Sequence, residues 1–260
     1  MDRRDWMGWT AGLLAWPGAV WAQGGTGPLR LGVDGLLQDT GLAGRWKAAM
    51  ARDLGLTADW VRAPSGTILR QLESGDLPMG LFLSHPLADR LDQQGLIHDR
   101  HTLARTPVLL VGPASDPAGL RGERDVVRAL HQILAGQAAG VCRWQAAPKE
   151  SALAGLSDTL TSTLGAQSLA PAKPPGDANP GATGPSYQLL TLADWQNMPS
   201  KLRSPLKVII DRDPRLWLHC QVARSFKTPH PAGKLLVQWL QGPLGRQATA
   251  QGSVWQKVQG

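Results

Sequence analysis

The sequence has little of what identifies many functional classes. Its 260 residues include only two cysteines, and no C-x-x-C, H-x-x-x-H or clustered acidic spacing supports a metal site. A G-x-S-x-G elbow is also missing, so serine hydrolase chemistry has no support. We therefore predict no enzyme, no metal and no cofactor. The two cysteines, Cys142 and Cys220, leave two possibilities open, a disulfide or two separate buried thiols.

Long apolar runs are missing after the first 22 residues, which excludes a membrane helix of about 20 residues there. Basic residues outnumber acidic ones by 27 to 20, giving a net charge of +7. They are spread singly along the chain, without the run or aromatic-interleaved patch that nucleic-acid binding needs. No nucleic-acid partner is predicted. A solvated positive surface mildly favours anionic ligands or an acidic partner.

Residues 1–22 have the pattern of a signal peptide. The charged stretch "MDRRDW" precedes a short apolar run, and Val20 and Ala22 are small residues at the −3 and −1 positions of a cleavage site. The adjacent Arg3 and Arg4 leave both the ordinary secretory and the twin-arginine route open. We expect cleavage after Ala22 and a soluble mature protein in the periplasm.

Strand and helix patterns alternate from Pro28 onward. The strand "PLRLGV" precedes a helix at 40–55 with Thr40 as its N-cap, and the strand "TADWVRA" precedes a helix capped by Ser65. The buried strand "MGLFLSH" and a short helix follow. This β-α-β-α-β order predicts a parallel, doubly wound α/β sheet.

A second α/β unit begins near Thr106. It contains the strands "TPVLLVGP" and "GVCRW", each followed by an amphipathic helix, and then a proline- and glycine-rich segment at 171–186. Such a segment buries too little apolar surface to order itself, so we expect a mobile loop. One amphipathic helix, "PAGKLLVQWLQGPLGRQATAQ", is predicted to close the chain. Two such units suggest a ligand crevice at the carboxyl ends of their strands.

Four stretches resemble the tungstate- and molybdate-type periplasmic substrate-binding proteins of ABC transporters. They are "TPVLLVGPASDPAGL", "LFLSHPLADRLDQQGL", "SGTILRQLESGD" and "PAGKLLVQWLQGPLGRQ". The resemblance implies a two-lobed type II periplasmic binding protein fold, each lobe a mainly parallel sheet flanked by helices. Lobe one would comprise 28–105 and 216–260, and lobe two 106–215. It also implies a monomer and an ABC permease in the inner membrane as partner.

The resemblance also implies a ligand site. In that family an oxyanion is held by a hydroxyl-rich loop after the first strand, a loop opening the second helix, and an arginine. Arg143 matches the arginine, and Ser65 and Gly66 match the second loop. The first loop departs from the family, because Asp34, Gly35 and Leu36 stand where hydroxyl residues are found.

Each candidate residue also has a structural interpretation. The Arg143 guanidinium is suited to capturing an anion in two hydrogen bonds, or it forms an ion pair with Asp39, Asp158 or Asp211. Trp144 stacks on a ligand or covers the lobe core. Asp34 holds an ammonium group of a ligand or pairs with Arg143. Ser84 follows a buried strand and is expected to point at the cleft.

The sequence therefore predicts a periplasmic solute-binding protein that captures a small anion, such as a tungstate- or molybdate-like oxyanion, for ABC import. Its lobes would close around the solute by a hinge motion. The alternative is a receptor-like accessory or sensor protein that kept the fold but lost oxyanion transport. The missing hydroxyl residues of the first loop favour that alternative.

Overall fold

The computed structural model describes residues 27–166, 185–250 and 254–257. The predicted signal peptide and nearly all of the loop predicted at 171–186 lie outside these residues. Within the described ranges, no helix is both long enough and apolar enough to cross a bilayer.

The first part of the chain alternates strands and helices as the sequence predicts. Its elements are β1 (Leu29–Val33), α1 (Gly35–Asp39), α2 (Leu42–Leu54), β2 (Ala58–Arg62), α3 (Ser65–Ser74), β3 (Met79–Leu83) and α4 (Pro86–Gln93). The rest of the described chain adds a long strand, then mixed elements. These are β4 (Ile97–Pro113), α5 (Val126–Ala138), β5 (Arg143–Trp144), α6 (Ala152–Ala166), β6 (Ser186–Thr191), α7 (Leu192–Asn197), α8 (Ser200–Arg203), β7 (Leu206–Ile210), β8 (Trp217–Ser225), α9 (Pro231–Gln241), α10 (Pro243–Ala250) and β9 (Gln256–Lys257).

The described strands form a sheet in the order β2-β1-β3-β8-β4-β6-β5, with β7 and β9 also paired to β4. β1 runs parallel to β2 and β3, and β5 runs parallel to β6. β8 runs antiparallel to β3 and β4, and β4 antiparallel to β6 and β7. The predicted α/β class with helices flanking the sheet is confirmed.

Strand β4 links two halves of this sheet. Its residues up to Pro107 pair with β8, whereas Val108–Val111 pair with β6. We call β1, β2, β3, β8 and the start of β4, with their helices, the first half. The second half contains the end of β4, β5, β6 and β7 with theirs.

The elements form because their apolar residues follow the period of each structure. All five residues of β3 are buried, as in a strand covered on both faces. Along α2 the buried residues recur at helical spacing and include Trp46, which is fully buried. Gly55 ends α2 with a left-handed φ of 62°, a conformation that glycine adopts without steric cost.

Three predicted helix boundaries differ from the structure. Thr40 is the C-cap of α1, and its hydroxyl donates to the Leu36 carbonyl at 2.6 Å, while Gly41 (φ 73°) is the N-cap of α2. Ser65 is not a helix cap, because its hydroxyl is bonded to groups at the ends of β1 and β3, as described below. The closing helix is broken into α9 and α10 at Gly242, which is extended because Pro243 follows it.

The two cysteines are separate buried thiols. Cys142 and Cys220 are both free and both buried. Burial raises the pKa of each thiol, so neither has the character of a reactive thiolate. The second of the two possibilities left open by the sequence is therefore correct.

Candidate functional site

A cavity of about 570 Å³ lies between the two halves of the molecule. The first half contributes residues from the carboxyl ends of its parallel strands, where ligands bind in open α/β sheets. These are chiefly Asp34, Leu36, Asp39, Arg62 and Leu83. The second half contributes the segment that opens α6 and the start of α7, including Pro148, Ser151, Leu153, Thr191 and Asp194.

Asp34 is a buried carboxyl group in the lining of this cavity. It is the N-cap of α1, where Oδ1 accepts the Leu36 N–H at 2.9 Å, and Oδ2 accepts the Ser65 hydroxyl at 2.6 Å. Only 7% of the residue is exposed. Burial raises the pKa of Asp34, although the bonds from Ser65 and Leu36 and the charge of Arg62 offset part of that rise. The hydrogen-bond acceptor at the N-terminus of α1 is therefore a side chain of the protein itself.

Ser65 lies at the start of α3 and is wholly buried. Its hydroxyl donates to Asp34 and accepts the Leu83 N–H at 2.8 Å. The side chain thus joins the ends of β1 and β3, and Ser65 is not among the cavity-lining residues.

Gly66 faces the second half directly. Its N–H donates to the backbone carbonyl of Glu150 at 2.9 Å, and a Cβ at this position would lie 3.2 Å from the Glu150 Cα. Glu150 has a left-handed φ of 69° and forms an ion pair with Arg70 of α3. The N-terminus of α3, predicted to attract an anion, is therefore covered by a carbonyl from the other half of the chain.

Arg143 and Trp144 form β5 in the second half. Arg143 is partly buried, and its backbone N–H donates to the Pro185 carbonyl at 3.0 Å. Trp144 is 6% exposed and belongs to the main hydrophobic core, which matches its structural interpretation. Neither residue lines the cavity; the segment that follows them does.

Ser84 lies just past β3 and joins it to β8. Its N–H donates to the His219 carbonyl at 2.7 Å, and its hydroxyl accepts the His219 N–H at 3.2 Å. Ser84 is not a lining residue either. Of the six predicted site residues, the structure brings Asp34, Ser65 and Gly66 together at adjacent helix starts, and only Asp34 lines the cavity.

Several charged residues of the cavity were missed by sequence reasoning. Arg62 donates to both oxygens of Asp39 at 2.6 and 2.7 Å, and this pairing lowers the pKa of Asp39. Asp194 accepts the Thr191 hydroxyl at 2.7 Å at the start of α7. Arg62 is the last residue of a parallel strand, and this position could have identified it as a residue of the site. Asp39, one of the acids named as a possible partner of Arg143, accepts two hydrogen bonds from Arg62.

Three partly buried histidines predict a pH dependence of stability. Burial lowers the pKa of His85, His98 and His219. These histidines protonate in the unfolded chain near their ordinary value of 6.5 but resist protonation when folded. Stability should therefore fall as the pH drops from 7.5 to 5.5, measured as a lower Tm.

His85→Asn is the matched variant, because it keeps an acceptor at the α4 N-cap, where His85 accepts the Leu87 N–H. We expect the difference in Tm between pH 7.5 and 5.5 to be smaller for this variant than for the wild type. An equal difference would exclude His85 as a contributor.

No group of three or more His, Cys, Asp or Glu side chains in the described ranges is arranged to hold a metal ion. The lining combines carboxylates, one paired guanidinium and apolar side chains. Such a site can bind a small molecule through directed hydrogen bonds and apolar contact.

Comparisons with known proteins agree with this architecture. A family model described as bacterial extracellular solute-binding protein matches residues 42–193, more than half of the chain. No curated protein sequence matches the chain significantly. Among solved structures, a periplasmic protein described as a candidate metal binder has a TM-score of 0.70 at 18% identity, covering 89% of this chain and 96% of its own.

Two further structures are named for tungstate. The tungstate-binding protein TupA of Desulfovibrio alaskensis G20 has a TM-score of 0.66 at 18% identity, covering 90% of this chain and 100% of its own. The tungstate ABC transporter protein of Geobacter sulfurreducens has a TM-score of 0.61 at 17% identity, covering 85% and 97%. At these identities the likeness shows the fold, which is the type II periplasmic binding protein fold predicted from the sequence.

Proposed function

This chain belongs to the bacterial extracellular solute-binding proteins, and from that premise we propose that it captures a small solute and delivers it to an ABC permease in the inner membrane. The observation that carries the proposal is the cavity of about 570 Å³ lined from both halves of the sheet. Its size lies within the range of small-molecule sites, roughly 300–1,000 Å³.

We further propose that the two halves act as the lobes 28–105 with 216–260 and 106–215, and that the protein works as a monomer in the periplasm after removal of residues 1–22. The change of partners along β4 near Pro107 supports the lobe boundary. Contacts made by a solute with both lobes would favour the closed form, as in hinge closure generally.

The small anion predicted from the sequence is the first candidate solute. The two tungstate-named structures and the net charge of +7 support it. The Arg143 guanidinium would then have to reach the solute. If it does, Arg143→Ala should remove the stabilisation that tungstate, molybdate, sulfate or phosphate gives in thermal unfolding, while leaving the fold intact.

The second candidate function is an accessory or sensor protein without oxyanion transport. The observation in its favour is that Asp34 and Glu150 of the chain itself accept the hydrogen bonds of Leu36, Ser65 and Gly66. A sensor would still bind a solute in the cavity, but would not stimulate uptake through a permease reconstituted in vesicles.

Filling the cavity tests solute capture directly. Leu153→Trp adds bulk to the lining, whereas Leu202→Trp adds the same bulk at a residue that is 62% exposed and outside the lining. At a concentration about 100 times Kd, a bound solute should raise Tm by roughly 5–10 °C. We expect Leu153→Trp to lose this rise and Leu202→Trp to keep it. Equal rises in both variants would place the solute elsewhere.

A further inference from the structure

The lining of the cavity carries information about the kind of solute that it accepts. Three hydrogen-bond donors at the starts of α1 and α3 are already used within the protein. The Leu36 N–H and the Ser65 hydroxyl donate to Asp34 at 2.9 and 2.6 Å, and the Gly66 N–H donates to Glu150 at 2.9 Å. An oxyanion leaving water needs several charge-assisted donors to replace its hydration. At these positions it would compete with acceptors that are covalently part of the chain.

The lining of the cavity carries more acidic than basic side chains. Among the described lining residues, the carboxylates are Asp34, Asp39 and Asp194 and the guanidinium is Arg62. Arg62 donates two hydrogen bonds to Asp39, so these two neutralise each other. Asp34 and Asp194 remain, one contributed by each half of the molecule.

Asp34 has acceptor capacity left for a ligand. A carboxylate has about four lone-pair positions. The Leu36 N–H and the Ser65 hydroxyl use one on each oxygen, and the Ser65 backbone N–H also bonds to the carboxyl, which leaves one position. Because the residue is buried, the carboxylate has lost most of its hydration. A cationic donor from a ligand would replace that hydration at short range.

The net charge of +7 does not reverse this local preference. Exposed charges are largely screened beyond about 8–10 Å at physiological ionic strength, so the overall charge acts on approach more than on contact. At the cavity wall the nearest groups decide, and these include carboxylates and the apolar side chains of Leu36, Leu83, Leu153 and Leu218.

We infer that the cavity binds a solute with a positively charged, hydrogen-bond-donating end directed at Asp34 and an apolar body packed against the leucines, in preference to an oxyanion. This inference rests on the proposed function, because it names the solute class of the same cavity. A primary ammonium or guanidinium group on a small apolar skeleton has this chemistry.

The experiment compares three probes of nearly equal size, 2-phenylethylamine, 2-phenylethanol and 3-phenylpropanoate, with tungstate as a fourth. Kd values are measured by calorimetry on the mature protein. We expect the amine to bind about 10- to 100-fold more tightly than the alcohol, the range for hydrogen bonds between charged groups. The propanoate and tungstate should bind more weakly than the alcohol.

Asp34→Asn should remove the advantage of the amine over the alcohol, while Asp59→Asn, on an exposed side chain outside the lining, should keep it. If Asp34→Asn does not fold, Asp194→Asn at the second carboxylate serves, with a smaller expected loss because this residue is exposed.

The outcomes separate the two proposals. If tungstate or the propanoate binds more tightly than the amine, and Leu153→Trp abolishes that binding, the solute-binding role stands and the cationic class is wrong. An amine that binds no better than the alcohol also overturns the cationic class. If Leu153→Trp leaves the binding of every probe unchanged, the solute binds elsewhere. The cationic class and the observation that carries the proposed function are then both overturned.

Discussion

Gly112→Ala is expected to lower the free energy of unfolding by about 3 kcal/mol, the upper part of the range for overpacking a core. Gly112 lies in β4, and a Cβ there would overlap the ring of Tyr187 in β6. The ring is fully buried. It cannot easily move, because its hydroxyl donates to Asp116 at 2.9 Å and accepts the Ala118 N–H at 3.1 Å.

Gly44→Ala is the matched control. Gly44 is exposed in the first turn of α2, and a Cβ there would meet no atom within 4 Å. Alanine favours a helix by about 1 kcal/mol over glycine, so this variant should be more stable than the wild type. Both are measured by urea unfolding with the slope m compared. If both variants gain stability, the Tyr187 ring does not pack against Gly112.

Asp213→Ala is expected to cost about 2 kcal/mol, because it leaves a buried N–H without its acceptor and removes one of the two carboxylates that pair with Arg215. Asp213 is 3% exposed and lies in the connection between β7 and β8. It accepts the Val126 N–H at the start of α5 at 2.8 Å, and its two oxygens accept the Arg215 guanidinium at 2.6 and 2.8 Å. Alanine would leave the Val126 N–H without its acceptor.

The same contacts predict a pH dependence for Asp213. Burial raises the pKa of this carboxyl, but the hydrogen bonds from Arg215 and Val126 outweigh it and hold the pKa below the usual 3.8. A carboxyl with a lowered pKa stabilises the fold above its unfolded pKa, and this contribution is lost as the pH falls through the folded value. The difference in stability between wild type and Asp213→Ala should therefore shrink in acid below about pH 3.8.

Asp59→Ala is the control for this prediction. Asp59 pairs with Arg30 at 3.9 Å on the surface, where both side chains are more than half exposed. Exposed ion pairs contribute little, and we expect a change within about 0.5 kcal/mol. An equally small change for Asp213→Ala would mean that its hydrogen bonds do not connect α5 to the segment between β7 and β8 in solution.

Much of the fold could be predicted because its signals are local. The buried strand "MGLFL", the helical spacing of apolar residues in α2 and the stop at Gly55 each arise from neighbouring residues. The helix boundaries at Thr40 and Ser65 were harder to predict from the sequence. Both hydroxyl residues suit an N-cap by type, but Ser65 is bonded to Asp34 from 31 positions earlier. No local pattern contains that contact.

The candidate site was predictable only in part. Asp34 was identified as a departure from a known pattern, and it does line the cavity. Arg62 and Asp194 were not singled out, because a single charged residue has no distinguishing spacing. Glu150 could not be anticipated either, since its effect on Gly66 comes from a backbone carbonyl, and every residue has one.

The amino-acid sequence by itself determined most of the order of strands and helices and the α/β class, because periodic burial and glycine stops are written in consecutive residues. The family was identified by the resemblance of four stretches to known proteins. The tertiary structure alone decided which polar groups are left for a solute. Whether a donor such as the Gly66 N–H is satisfied or left free depends on whether folding brings an acceptor from a distant part of the chain to it.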